Sequence, residues 1–168
     1  MRVMHQNPFK KVLILGAKFG APSQDVESLL SLANLLGLEI VGVAFHVGTG
    51  SEDPNAFGTA ISSAKAVSQL FPKYGFHMQI LDIGGGFPGI IAFDNMEDLF
   101  YRIARVVNQS LEQDFPENTF SELKIISEPG TYFVASAFRL LTKVVGKRVV
   151  ETDDGKEYMY YLNDGLFG

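Results

Sequence analysis

Short apolar runs alternate with amphipathic stretches along most of this chain, and that alternation limits the fold more than any other feature. Residues 38–45 (LEIVGVAF), 78–83 and 123–127 have the composition of buried strands, and 12–15 is a further candidate. The segments between them carry apolar residues at helical spacing. Residues 23–36 place Val26, Leu29, Leu30, Ala33 and Leu36 on one face, with Ser23 as a candidate N-cap and Gly37 as the stop. Residues 57–71 predict a second helix, and 96–111 a third with Leu99, Ile103, Val106 and Val107 together. Strands and helices in this order build parallel strands joined by crossovers, as in a (β/α) barrel or an open doubly wound sheet. After Phe133 the pattern changes to β-rich runs at 138–150 and 158–162, with Asp153-Asp154-Gly155-Lys156 as a hairpin loop. The expected division is therefore an α/β part, 1–137, and the start of a β domain, 138–168.

Composition removes several classes of function. The 168 residues carry 14 Lys and Arg against 19 Asp and Glu, a net charge of −5. A mildly acidic chain without a basic patch is not a nucleic-acid binder. The chain contains no cysteine, which excludes a disulfide scaffold, a thiolate metal site and a cysteine nucleophile. No metal site is assigned. No run approaches the ~20 apolar residues of a membrane span, and the short run at 12–15 does not make a signal peptide. A cytoplasmic protein is expected.

Ligands of parallel α/β folds bind at the carboxyl ends of the strands, and three such ends here are polar or glycine-rich. Phe45-His46-Val47-Gly48-Thr49-Gly50 follows the first. His46 is either a rim histidine satisfied by backbone or an imidazole that stacks on a flat ligand. Gly48-Thr49-Gly50 is either a tight turn or an anion grip with one hydroxyl. The second end is Leu81 to Gly89 (LDIGGGFPG). Gly84-Gly85-Gly86 is costly in backbone entropy, and close approach to a phosphate is a better reason for it than a plain turn. Gly84, Gly86 and Gly89 also fit G-x-G-x-x-G, but Pro88 sits where a helix would begin and no acid-terminated strand follows, so a dinucleotide fold is set aside. The third end carries Glu128 before Pro129-Gly130-Thr131. Glu128 is either a cap or ion-paired acid, or a carboxylate for a protonated ring nitrogen. Together the three ends describe a pocket for a flat, phosphorylated, protonatable heterocycle, for which pyridoxal phosphate is the candidate.

Lys18-Phe19-Gly20, Phe45 to Gly50, LDIGGGFPG, Ser127-Glu128-Pro129-Gly130 and Met159 to Gly165 (MYYLNDG) closely resemble eukaryotic ornithine decarboxylases and their non-catalytic relatives, the antizyme inhibitors. The resemblance implies a partial alanine-racemase-like (β/α) barrel followed by the first strands of a C-terminal β domain. It implies pyridoxal phosphate as cofactor, with His46 stacked on its ring and Glu128 on its pyridinium nitrogen. Thr49, Gly84, Gly85, Gly86, Pro129, Gly130 and Thr131 would lie around the phosphate, and Asp82 would support the ring from beneath. It implies a homodimer that converts ornithine to putrescine or, in the non-catalytic branch, a regulator that binds antizyme.

The departures from the family pattern concern catalysis. The family's Schiff-base lysine lies upstream of Lys18, and its catalytic cysteine and substrate aspartates lie beyond Gly168. The family's pocket arginine would align near Val3, in a stretch that does not follow the pattern. Where decarboxylases carry Glu-Pro-Gly-Arg this chain has Thr131. A lost charge-assisted hydrogen bond is worth roughly 1.5–3 kcal/mol, about ten- to a hundredfold in affinity. No catalytic residue is assigned, and these 168 residues are expected to be an incomplete member of the family, inactive alone.

Overall fold

The structure, a computed structural model, describes residues 1–3, 19–89 and 96–165. The candidate strand at 12–15 lies outside them. The chain divides into two compact units, Met1–Ala137 and Phe138–Gly168.

The first unit holds three parallel strands, β1 (Gly42–Ala44), β2 (Ile80–Asp82) and β3 (Lys124–Ile126), in that spatial order. Helix α1 (Val26–Leu35) precedes β1, α2 (Asn55–Ser68) joins β1 to β2, and α3 (Met96–Asp114) joins β2 to β3. A short helix, α4 (Gly130–Val134), follows β3. Two successive strand–helix–strand units are thus present, as the alternation requires. Ala44, Asp82 and Ile126 are in register across the sheet. Met1–Val3 lies along the free side of β1. Ala44 N–H donates to Met1 O at 2.8 Å, Val3 N–H donates to Ala44 O at 2.9 Å, and Arg2 bridges Ala44 in parallel.

Side chains alternate across the sheet. Val43, Phe45, Leu81 and Ile83 are buried in one core with Val26, Leu30 and Ala33 of α1 and with the inner faces of α2 and α3. α2 and α3 pack closely because α2 offers small residues. A Cβ on Gly58 would stand 3.0 Å from Ser110 Oγ and 3.2 Å from Val106 Cγ1. Ser62 donates a 2.6 Å hydrogen bond to the Asp114 carboxylate at the same crossing, and Lys65 Nζ sits 4.1 Å above the Phe120 ring, beyond the end of α3. Phe87 stands between Phe57, at 4.9 Å, and Phe100, at 6.5 Å, and Phe100 stacks on Tyr132 of α4 at 4.6 Å. This aromatic row ties the glycine-rich loop to three helices.

Several expectations are corrected in detail. Ser23 does not cap a helix: Ser23–Asp25 is a 3-10 turn, and α1 starts at Val26 with no side-chain cap. Leu29 and Leu36 do not join the core side of α1, being 42% and 62% exposed. Each strand spans only three residues, although single backbone hydrogen bonds continue past both ends, as from Phe45 N–H to Asp82 O and from Lys124 N–H to Gln79 O. β3 is not buried: Ile125 and Ile126 are 42% and 39% exposed, as befits the edge of the described sheet. α4 was not expected, since Glu-Pro-Gly reads as loop.

The second unit is an antiparallel hairpin, β4 (Val144–Thr152) with β5 (Gly155–Leu162), turning at Asp153-Asp154 with Gly155 at φ +127°. Residues 138–143, expected as strand, lie outside it because β4 pairs only as far back as Val144.

Candidate functional site

The carboxyl ends of β1, β2 and β3 converge. Phe45 N–H donates to Asp82 O at 3.1 Å, Ile83 N–H to Ile126 O at 2.9 Å, and Glu128 N–H to Gly84 O at 2.8 Å. The three loops singled out in the sequence are therefore hydrogen-bonded to one another.

His46 is half-buried at the end of β1. Gly48 N–H donates to its Nδ1 at 2.9 Å. With Nδ1 an acceptor, the neutral ring carries its proton on Nε2. Burial first, and then the Arg2 guanidinium, push the imidazole below its ordinary value of 6.5, while Glu128 and Asp82 act in the opposite direction. The ring is thus held neutral, with one edge fixed by backbone.

The glycine run has a cause that sequence reasoning missed. A Cβ on Gly84 would overlap Phe45 O, one on Gly85 would lie 2.7 Å from Glu128 O and 2.8 Å from His46 Nε2, and one on Gly86 would lie 2.6 Å from Gly48 O. Gly84 and Gly86 also adopt φ +64° and +102°, which L side chains rarely adopt. Contact between the three loops requires these glycines, with or without a ligand. Asp82 supports the run directly, its Oδ1 accepting Gly84 N–H at 2.9 Å. Gly89 packs the end of the motif against Thr131 and Ala135.

What the packing leaves over bears on a ligand. Gly85 and Gly86 are buried, and no acceptor among the described residues takes either N–H. Buried backbone donors are almost always paired, so two adjacent unpaired ones fit an anion such as a phosphate. The Thr49 hydroxyl at the same loop end has no partner among the described residues. Glu128 and Thr131 are exposed, and Pro129 occupies the position before α4. Around Gly130 a Cβ would meet nothing within 4 Å, so the protein itself does not demand glycine there. Of the residues proposed from sequence, His46, Gly84, Gly85, Gly86 and Glu128 stand together at the three strand ends. Thr49 adjoins them on the β1 loop, and Thr131 stands on the far side of Pro129-Gly130. Arg2 belongs to this constellation and was missed. A sequence signal for it existed, since the family's pocket arginine was expected to align near Val3, one position away.

Among the described residues no group of three or more His, Cys, Asp or Glu could hold a metal ion, and no helix is long and apolar enough to cross a membrane.

Residues 4–135 match the family of pyridoxal-dependent decarboxylases, specifically their pyridoxal binding domain, and this chain belongs to that family. It is 44% identical to antizyme inhibitor 2 of Xenopus laevis over 162 residues, covering 92% of this chain and 34% of that protein. It is 42% identical to ornithine decarboxylase 2 of Drosophila melanogaster over 170 residues, covering 99% of this chain and 41% of that protein. Among solved structures, the arginine decarboxylase of Paramecium bursaria Chlorella virus superposes with a TM-score of 0.76 at 34% identity, covering 99% of this chain and 42% of that one. The chain thus spans between about a third and two-fifths of the length of these relatives. The parallel sheet with its helices is part of an alanine-racemase-like (β/α) barrel.

Proposed function

We propose that this chain carries the ring-holding and phosphate-holding portion of a pyridoxal phosphate site, in a protein of the ornithine decarboxylase type. One observation carries the reading. Two buried glycine N–H groups without acceptors among the described residues lie beside an imidazole whose tautomer and tilt are fixed. Gly85 and Gly86 would hold the phosphate through those N–H groups, with the Thr49 and Thr131 hydroxyls adding to them. Gly84 shapes the turn, and Pro129-Gly130 brings α4 toward the same place. The neutral His46 ring offers a flat face to the pyridine, and the Glu128 carboxylate is the partner for its protonated nitrogen. When bound, pyridoxal phosphate supplies an electron sink for bonds to the α-carbon of an amino acid.

On this reading residues 1–137 are the later part of a pyridoxal-binding barrel, and 138–168 begin a β domain. The whole protein would be cytoplasmic, would work as a homodimer and would decarboxylate L-ornithine to putrescine. The described lysines of the first unit do not supply the family's cofactor-anchoring lysine near His46. Lys65 lies over Phe120 and Lys73 pairs with Glu27. Lys124 stands at the opposite end of β3 from Glu128. Decarboxylation by these residues alone is therefore not proposed.

Thr131, where the decarboxylases carry arginine, favours a second reading: a non-catalytic regulator of polyamine metabolism that binds antizyme. The likeness to Xenopus antizyme inhibitor 2 supports it. Titration of the purified chain with pyridoxal phosphate, read by ligand absorbance and tyrosine fluorescence, tests the first reading. Saturable binding that weakens on His46→Ala is expected. Absence of binding overturns it and leaves the regulator, which fails in turn if antizyme is not retained by the immobilised chain.

A further inference from the structure

β4 leaves one side of its backbone unused. Thr152 pairs with Gly155 across the two-residue turn, Val150 with Glu157 and Arg148 with Met159. The pair that closes such a turn is hydrogen-bonded, and hydrogen-bonded pairs alternate along an antiparallel ladder. The N–H and C=O groups of Thr152, Val150 and Arg148 therefore face β5, and those of Glu151, Val149 and Lys147 face outward. Among the described residues no backbone hydrogen bond uses these outward groups. Lys147, Val149 and Glu151 are all exposed, and their side chains share one face of the hairpin with Lys156, Tyr158 and Tyr160. The charges along this edge are ordered about its middle: Lys147 lies two residues before Val149, and Glu151 two residues after it.

We propose that β4 pairs antiparallel with β4 of a second copy of this chain, about a two-fold axis at Val149. Lys147 N–H then donates to the partner's Glu151 O, Val149 N–H to the partner's Val149 O, and Glu151 N–H to the partner's Lys147 O, and the partner returns each bond. Lys147 stands directly opposite the partner's Glu151 at both ends of the contact, and opposite charges so placed are favourable. Lysine on an edge strand ordinarily discourages pairing; here the order of the charges selects one register. Centring the pair on Lys147, Arg148 or Glu151 would set a like charge against itself, and centring it on Val150 would carry Lys147 past the strand to the partner's Asp153. On the shared face, Tyr158, Val149, the partner's Val149 and the partner's Tyr158 form one apolar row. The next row runs Tyr160, Lys147, the partner's Glu151 and the partner's Lys156. Half of each charged contact already exists in the hairpin, with Lys147 Nζ 4.4 Å from the centre of the Tyr158 ring and Lys156 Nζ 3.6 Å from Glu151 Oε1. A hairpin alone is marginal in water, and further strands stabilise it. The contact uses the second unit only, so it stands whether or not pyridoxal phosphate binds.

Sedimentation velocity of the whole chain at rising concentration tests this. The wild type is expected to pass from monomer to dimer, and to return toward monomer in high salt. Lys147→Glu and Glu151→Lys should each weaken dimerisation by about tenfold or more, since both contacts become like-charged. Their equimolar mixture should dimerise as the wild type does, because one variant then supplies acids and the other bases at every contact; that recovery also shows that both variants fold. Val149→Pro removes an outward N–H and no bond to β5, so it should abolish the dimer and keep the Arg148–Met159 pairing seen by NMR. One measurement needs no variant: amide exchange at Lys147, Val149 and Glu151 should slow with concentration more than at Arg148 and Val150. A wild type that stays monomeric overturns the proposal and leaves this edge to a strand of another protein or to water. A dimer that survives both charge variants and Val149→Pro, or exchange that slows without favouring those three amides, places the contact elsewhere and overturns it equally.

Discussion

His46 Nδ1 accepts the N–H of Gly48 at 2.9 Å, a bond that protonation of Nδ1 would break. The same ring is held below its ordinary value of 6.5 by burial and then by Arg2. A base with a lowered folded value binds fewer protons folded than unfolded in the interval between the two values, so stability rises with pH across it. The contribution is complete above 6.5 and is lost as pH falls below. The Met1 amino group, lowered by burial from 8.0 while donating to Gly42 O at 2.7 Å, acts with the same sign in a higher interval. Urea midpoints measured from pH 8.5 to 5 should therefore fall in two stages. His46→Gln should remove the lower stage and N-terminal acetylation the upper.

Gly85→Ala places a methyl 2.7 Å from Glu128 O and 2.8 Å from His46 Nε2. Overpacking of this kind costs about 1–3 kcal/mol. The expected result is a lower urea midpoint together with shifted His46 ring resonances. An unchanged midpoint with unmoved resonances would mean that the loops are not in contact.

Gly130→Ala is the matching control. Its methyl meets nothing and its backbone is helical, so stability should stay level or rise by about 0.4–1 kcal/mol. Any loss in this variant should fall on pyridoxal phosphate affinity, measured in the same titration.

Phe87 is 8% exposed, between Phe57 and Phe100. Phe87→Ala should cost about 3–5 kcal/mol, seen as loss of the cooperative thermal transition or a much lower midpoint. Phe87→Leu should recover most of it.

The β4–β5 hairpin is exposed on nearly every residue, and an isolated two-stranded hairpin is marginal in water. Its amides should exchange with deuterium far sooner than those of α2, whose Phe57, Ala60, Ile61 and Ala64 are fully buried. Equal protection in hairpin and helix would refute this ranking.

Much of the fold was legible because it rests on periodicity. α2, α3 and the order of the three strands follow from apolar spacing, and Gly37 at φ +66° ends α1 as a left-handed stop should. The misplacements trace to tertiary context. Nothing in 123–127 marks β3 as an edge strand, and nothing in 23–36 shows that only Val26, Leu30 and Ala33 of that face meet the core. At the site, sequence reasoning selected the right strand ends but gave the glycines a ligand as their reason, when Phe45 O, Glu128 O and Gly48 O already fill the space. Arg2 was passed over although the family's pocket arginine was expected one position away, near Val3, because its place is set by a backbone bridge to Ala44, forty-two positions along the chain.

The interlock of Gly84, Gly85 and Gly86 with two neighbouring loops bears on how such a chain can diverge. A substitution at one glycine needs compensating shifts in segments dozens of positions away, so single steps are penalised even after any ligand is lost. The motif should outlast the activity it is used to diagnose. In a family that contains both enzymes and inhibitors, GGG at this position reports descent and sound folding. Turnover has to be judged from residues whose side chains the scaffold does not need.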